Sequence, residues 1–218
     1  MIFLTEARID HLEAALRRES LPHGLSDTYA WHKAVWQAFP DRKGELRNFL
    51  TRLDRNQKGY RLLIVSQTLP RKPTWWTSDQ WRTKEIPGNY FHHSRYAFEA
   101  RVNPTKKIRI GSTEKGDRKK NGARIPLATP EDLVNWIDRK GQAGGFTIER
   151  NSLLINPEGK ESFIRQSKQG SHNGVNFQGI LQVTDPELFQ KTFTQGIGSA
   201  KAFGFGLLII APIHAKKS

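Results

Sequence analysis

The chain has 218 residues and a formal net charge of +14, with 35 Lys and Arg against 21 Asp and Glu, an excess that makes a polyanion the default partner. This length accommodates one large domain or two of roughly 100 residues, and 36% hydrophobic residues with six Trp and twelve Phe exclude a wholly disordered chain. Zero cysteines exclude disulfides, thiolate metal sites and cysteine nucleophiles and fit a cytoplasmic protein, and no run approaches the roughly 20 apolar residues of a membrane-spanning helix.

Met1 to Ile9 is short, apolar and β-like, and with no basic stretch and long apolar core at its start no secretory signal is expected. Residues 10–27 read as a connection with a helical turn through Leu12, Ala15 and Leu16. Ser26 or Asp27 can cap a firmer helix, in which His32, Val35, Trp36 and Phe39 share one face until Pro40 stops it. Leu46 to Leu53 and Tyr60 to Gln67 read as strands joined by the turn Asn56-Gln57-Lys58-Gly59. Residues 70–89 carry Pro70, Pro73, Pro87, Trp75-Trp76 and Trp81, with a short helix expected from Ser78 through Arg82. Tyr90 to Val102 resumes a β pattern.

The chemistry then changes. Between Arg101 and Arg124 stand nine basic residues (Arg101, Lys106, Lys107, Arg109, Lys115, Arg118, Lys119, Lys120 and Arg124) against Glu114 and Asp117. With Gly111, Gly116 and Gly122 between them, these residues read as a protruding hairpin or arm. The bland alternative is a solvated loop, but the charge of the remaining chain points the same way. A-form RNA has a deep, narrow major groove, and a thin basic hairpin can reach its mouth or straddle the phosphates of a stem.

Thr129-Pro130-Glu131-Asp132 opens a helix with Leu133, Trp136 and Ile137 as its apolar stripe and Gly141 as its end. Phe146 to Asn156 and Gly174 to Thr184 read as strands, Asp185-Pro186-Glu187 opens a last helix through Phe193, and Leu207 to Ile213 is a final strand. The order in each half is roughly β-α-β-β-α-β. The fold class is therefore α+β, two tandem ferredoxin-like (RRM-like) domains over residues 1–90 and 91–218.

Gly196-Ile197-Gly198-Ser199-Ala200-Lys201-Ala202-Phe203-Gly204-Phe205-Gly206 places four glycines in eleven residues directly before the final strand. A helix C-cap explains Gly196 alone. The cluster suits a backbone that an anion approaches, with Lys201 as the direct phosphate contact. It is neither a Walker loop nor a dinucleotide fingerprint, since it lacks the GK[ST] ending and follows a helix.

His32 and Tyr29 stand one turn apart. A lone His on an apolar stripe is more often a core residue, but the pair can exchange protons or hydrogen bonds. RNA carries its own nucleophile, the 2′-hydroxyl, so scission needs only proton transfer and charge stabilisation. His92 and His93 are adjacent and point to opposite faces of a strand, and no carboxylate cluster appears, so neither a metal nor another cofactor is expected.

The stretch Tyr29-Ala30-Trp31-His32-Lys33-Ala34-Val35-Trp36-Gln37-Ala38-Phe39-Pro40 resembles the first helix of the CasE family of CRISPR-associated endoribonucleases from subtype I-E Cascade systems. Arg101-Val102-Asn103-Pro104-Thr105-Lys106-Lys107 and Arg124-Ile125-Pro126-Leu127 resemble the two ends of that family's basic hairpin. The run from Gly196 to Gly206 resembles its G-rich loop, and the likeness extends end to end. The resemblance implies metal-independent cleavage of CRISPR repeat transcripts at the 3′ base of their stem-loop. It also implies a cyclic phosphate product, retention of the mature guide RNA and association with other Cascade subunits. His32 would be the general acid or base, and Tyr29 would place the scissile phosphate. The RNA-binding set would be Lys106, Lys107, Arg109, Lys115, Arg118, Lys119, Lys120, Arg124, Gly196, Gly198, Lys201, Gly204 and Gly206. A catalytically silent RNA-binding subunit of a ribonucleoprotein is the alternative. His11, His23 and His172 are unassigned surface candidates.

Overall fold

The computed structural model describes residues 1–18, 25, 28–42, 45–76, 79–107, 124–165 and 168–214. The first half builds one antiparallel sheet from β1 (Phe3–Asp10), β2 (Phe49–Asn56), β3 (Gly59–Ser66) and β4 (Trp81–Glu85), in the order β2-β3-β1-β4. Period-two alternation sends Phe3, Thr5, Ala7 and Ile9 of β1 to the face covered by α1 (His11–Arg18) and α2 (Thr28–Val35). At the β2–β3 turn, Asn56 Oδ1 accepts from the backbone N–H of Lys58 (2.9 Å) and Gly59 (3.0 Å), closing the hairpin in the expected place.

Two expectations need correction here. Residues 11–18 form a full helix where a single turn was expected, and Trp81–Glu85 is an edge strand where a short helix was expected. Residues 77 and 78 lie outside the described part. Among the described residues no helix lies between β3 and β4. Instead Trp75 and Trp76 are buried with their ring centroids 6.4 and 6.2 Å from that of Trp31. Indole area covers the sheet there in place of a second helix.

The second half builds a sheet from β5 (Arg95–Val102), β8 (Phe146–Ile148), β9 (Leu154–Arg165), β10 (Lys168–Val183) and β11 (Leu208–Pro212). Its order is β11-β5-β10-β8, with β9 also paired to β10. Helices α3 (Pro130–Ala143) and α4 (Pro186–Gln195) complete the ferredoxin-like connectivity. Both begin as the sequence predicts: Thr129 Oγ1 caps the Asp132 N–H (3.2 Å) and Asp185 Oδ1 caps the Leu188 N–H (3.0 Å). Each such cap contributes about 1 kcal/mol. β6 (Thr105–Lys107) and β7 (Arg124–Pro126) pair with each other as a separate ribbon.

The β9–β10 ladder runs far beyond the expected strands, from Leu154 opposite Gln178 to Arg165 opposite Lys168, with a register shift at Gly174/Val175. The bulge admits Pro157, which would otherwise interrupt a ladder.

One apolar cluster spans both halves. Ile2, Leu50, Leu63, Val65 and Ile86 of the first sheet join Phe98, Phe177, Phe193, Ile197, Leu207 and Leu208 of the second half. Beside it Arg52 donates to Glu99 (2.5 Å) and to Asp54 (2.7 Å), while Asn176 also donates to Glu99 (3.0 Å). Burial and this charge network hold the halves together.

Candidate functional site

Three elements converge at the junction of the halves: α2, the start of β2, and the 3-10 turn Lys201–Phe203, which abuts both. His32 occupies the fifth position of α2 and is 8% exposed. Its ring lies 5.6 Å from that of Phe49 and 6.3 Å from that of Trp36, whose indole Nε1 donates to His32 Nε2 at 3.3 Å. Accepting at Nε2 assigns the ring proton to Nδ1. Burial, followed by the nearby Arg47 guanidinium, pushes the imidazole down to about 4, so His32 is neutral at physiological pH. A neutral imidazole is the form that can accept a proton.

Lys201 is half-buried. Burial first, then Arg47 and Lys140, hold its ammonium below the ordinary lysine value. Lys140, on α3, is in turn depressed by burial, Arg139 and Arg124. Arg47 itself is lowered by burial. A chain of cations therefore leads away from His32 through Arg47, Lys201, Lys140 and Arg124. Arg47 and Lys140 carry no signal in the sequence, because neither belongs to a motif or a periodic stripe. Their convergence is purely tertiary.

The glycine loop is built differently from an open phosphate cradle. Gly196 N–H donates to Thr192 O (2.7 Å), Ile197 N–H to Gly206 O (2.8 Å) and Gly206 N–H to Arg101 O (2.7 Å). The Gly196 and Gly206 N–H donors are therefore spent within the protein. Their conformations explain the residue choice: at φ +88°, a Cβ on Gly206 would stand 2.5 Å from Ile197 O. Gly198 lies 3.0 Å, measured from a Cβ built on it, from the Trp136 ring, and Gly204 is buried near Thr51. The glycines let two chain passes meet and so carry Lys201 to the cationic junction.

Lys106, Lys107 and Arg124 are exposed on the ribbon formed by β6 and β7. Arg109, Lys115, Arg118, Lys119 and Lys120 lie outside the described residues, as does the side chain of Tyr29, whose backbone is in the first turn of α2. Arg101, at the start of the basic segment, is buried, pairs with Glu158 and lies over the Phe205 ring at 5.0 Å. His172 is half-buried. Its Nδ1 meets Asn103 Nδ2 at 3.0 Å, its ring lies 4.6 Å from that of Phe203, and burial lowers its pKa. His11 bonds Asn56 O at 2.8 Å, and His23 lies outside the described residues. Among the described residues no group of three His, Asp or Glu side chains is placed to hold a metal ion. Among them also no helix is long and apolar enough to cross a membrane.

Residues 2–212 match the family described as CRISPR associated protein. The chain is 30% identical to the CRISPR-associated endoribonuclease Cse3 of Thermus thermophilus, across 97% of this chain and 100% of that protein. It is 27% identical to the Cascade subunit CasE of Escherichia coli K12, across 86% and 93%. Among solved structures it resembles Thermus thermophilus Cse3 bound to an RNA representing a pre-cleavage complex, at 25% identity and TM-score 0.67, covering 97% of this chain and 99% of that one. The Cas6e structure from Escherichia coli K-12 shares the fold at TM-score 0.69 and 24% identity, over 97% and 100% of the two chains.

Proposed function

The chain belongs to the CRISPR associated protein family, and on that premise we propose that it is an endoribonuclease that processes CRISPR repeat transcripts within a Cascade assembly. The observation that carries this reading is a neutral, buried His32 held at a junction of cations contributed by both halves of the chain. A group that can exchange protons and a local field suited to a phosphodiester are the two requirements of RNA scission by its own 2′-hydroxyl. In that step the 2′-oxygen bonds to phosphorus, the bond from phosphorus to the 5′-oxygen breaks, and a 2′,3′-cyclic phosphate forms. The 2′-hydroxyl proton passes to a base and the departing 5′-oxygen takes one up, so neither water nor metal enters the balance.

His32 is the residue assigned to proton transfer, with Tyr29 placing the phosphate and Lys201 contacting it. Lys106, Lys107 and Arg124 on the ribbon of β6 and β7, together with Arg109, Lys115, Arg118, Lys119 and Lys120, grip the stem. Gly198 and Gly204 shape the loop that carries Lys201, and the chain divides into its two units near residue 90.

His32→Ala tests the assignment. A positioned acid or base contributes about 10² to 10⁴ in rate, so single-turnover cleavage of a repeat hairpin should slow by that factor while the Kd for uncut RNA stays within twofold. EDTA should leave the wild-type rate unchanged, and a 2′-deoxy nucleotide at the cut should abolish cleavage but not binding. Wild-type rates in the variant would return His32 to the core.

A further inference from the structure

Arg47 is a half-buried arginine with no carboxylate partner among the described residues. Its Nη1 is fully buried with no hydrogen-bond partner. Its placement is set by the backbone. Asn48 O accepts from the Gln67 N–H (3.3 Å), continuing the β2–β3 ladder one step past Phe49 opposite Ser66. Period-two alternation then puts Arg47 on the same face as Phe49, whose ring contacts that of His32. The neighbours that bear on this region electrostatically, His32 and Lys201, are a base and a cation. Other arginines of this chain show what a structural guanidinium looks like. Each has a carboxylate partner: Arg52 pairs with Asp54 and Glu99, Arg101 with Glu158, and Arg95 with both carboxylate oxygens of Glu149. Arg47 has none of this.

A partly desolvated guanidinium with an unused buried donor among like charges costs the free protein stability. An anion repays that cost. The planar fork offers parallel N–H donors at the spacing of two phosphate oxygens, a match that a lysine ammonium lacks. We propose that Arg47 is the phosphate-binding cation of the His32 site, taking the non-bridging oxygens of the scissile phosphodiester and stabilising the added negative charge as the 2′-oxygen attacks. The proposal rests on the ribonuclease reading and adds to it a residue and a coupling. Phosphate on Arg47 cancels the repulsion that Arg47 exerts on the imidazole, so substrate binding makes His32 more basic. The base thus strengthens when the phosphodiester arrives.

Arg47→Gln, Arg47→Lys and Arg47→Ala test this in the full-length protein. Removing one preorganised oxyanion donor costs about 10² to 10³ in rate. Single-turnover cleavage of a repeat hairpin should fall by that factor in Arg47→Ala, with the Kd for uncut RNA changed less than tenfold. Arg47→Lys should retain part of the rate, and added guanidinium ion should restore part of it to Arg47→Ala. Thermal stability should be equal or higher in Arg47→Gln, whereas a structural arginine would lose it. A second measurement needs no cleavage: the His32 ring resonance, followed by NMR against pH, with and without inorganic phosphate. Phosphate should raise the His32 pKa in wild type and leave it unmoved in Arg47→Gln, whose phosphate-free pKa should already exceed wild type. Wild-type cleavage by Arg47→Ala, or an equal phosphate response in both proteins, overturns the proposal. If wild type itself does not cut RNA, it is the ribonuclease reading that fails, and the phosphate titration still judges the anion site.

Discussion

Burial of a neutral His32 makes stability depend on pH in a window that the structure defines. In the unfolded chain the imidazole titrates near the ordinary value of about 6.5, whereas in the folded protein it titrates at about 4. Above pH 6.5 neither state binds the proton and His32 contributes no pH dependence. As pH falls through 6.5 the unfolded state takes up a proton that the native state refuses, so stability drops, and it levels off below about 4 where both are protonated. Stability therefore rises with pH across this window, in the direction required when the unfolded state binds more protons. The full span corresponds to about 3.4 kcal/mol, of which about 2 kcal/mol is already lost at pH 5. Urea unfolding of wild type and His32→Phe at pH 7.5 and pH 5.0 isolates this contribution. The phenyl ring keeps the packing against Phe49. The loss of Trp36's acceptor is the same at both pH values and cancels in the difference, as do the carboxylates and the other histidines. Wild type should lose about 2 kcal/mol more than the variant between the two conditions, equivalent to a Tm difference of about 4 to 8 °C for a chain of this size. Parallel pH profiles would show that His32 titrates normally in the native state and would refute the neutral, desolvated base.

Alanine at Lys106, Lys107 and Arg124 together should weaken stem-loop binding and reduce the log–log salt slope by about 0.7 to 0.9 for each phosphate no longer neutralised. An unchanged slope would place the RNA away from the ribbon of β6 and β7. Gly206→Ala should lower stability by more than about 2 kcal/mol, because left-handed strain of about 1 kcal/mol or more adds to a Cβ standing 2.5 Å from Ile197 O. Gly204→Ala, with its nearest obstacle at 3.8 Å, should lose only the strain of about 1 kcal/mol. Equal Tm losses in the two variants would show that the close approach of Ile197 and Gly206 does not decide the loop.

Local rules sufficed for much of this protein. The caps at Thr129 and Asp185, the turn at Asn56–Gly59 and the alternating burial of β1 follow from side chains acting on the backbone within a few residues, and such effects are written in the sequence directly. His32, Lys201 and the glycine run were likewise visible as residue types at characteristic positions. The β9–β10 ladder was not, because its Gly-, Ser- and Asn-rich residues have weak strand preference and are held by cross-strand pairing. Trp81 joined a strand because β1 offered it an open edge, a partner distant in sequence. The glycines were legible as special, but not their purpose. Whether a positive φ serves a ligand or a neighbouring strand depends on what approaches the backbone, and here Ile197 and Gly206 approach each other. The cationic junction was hidden for the same reason. Arg47, Lys140 and Lys201 lie far apart along the chain, and only packing of the two halves over a shared apolar cluster brings their charges together, with Arg47 within range of His32.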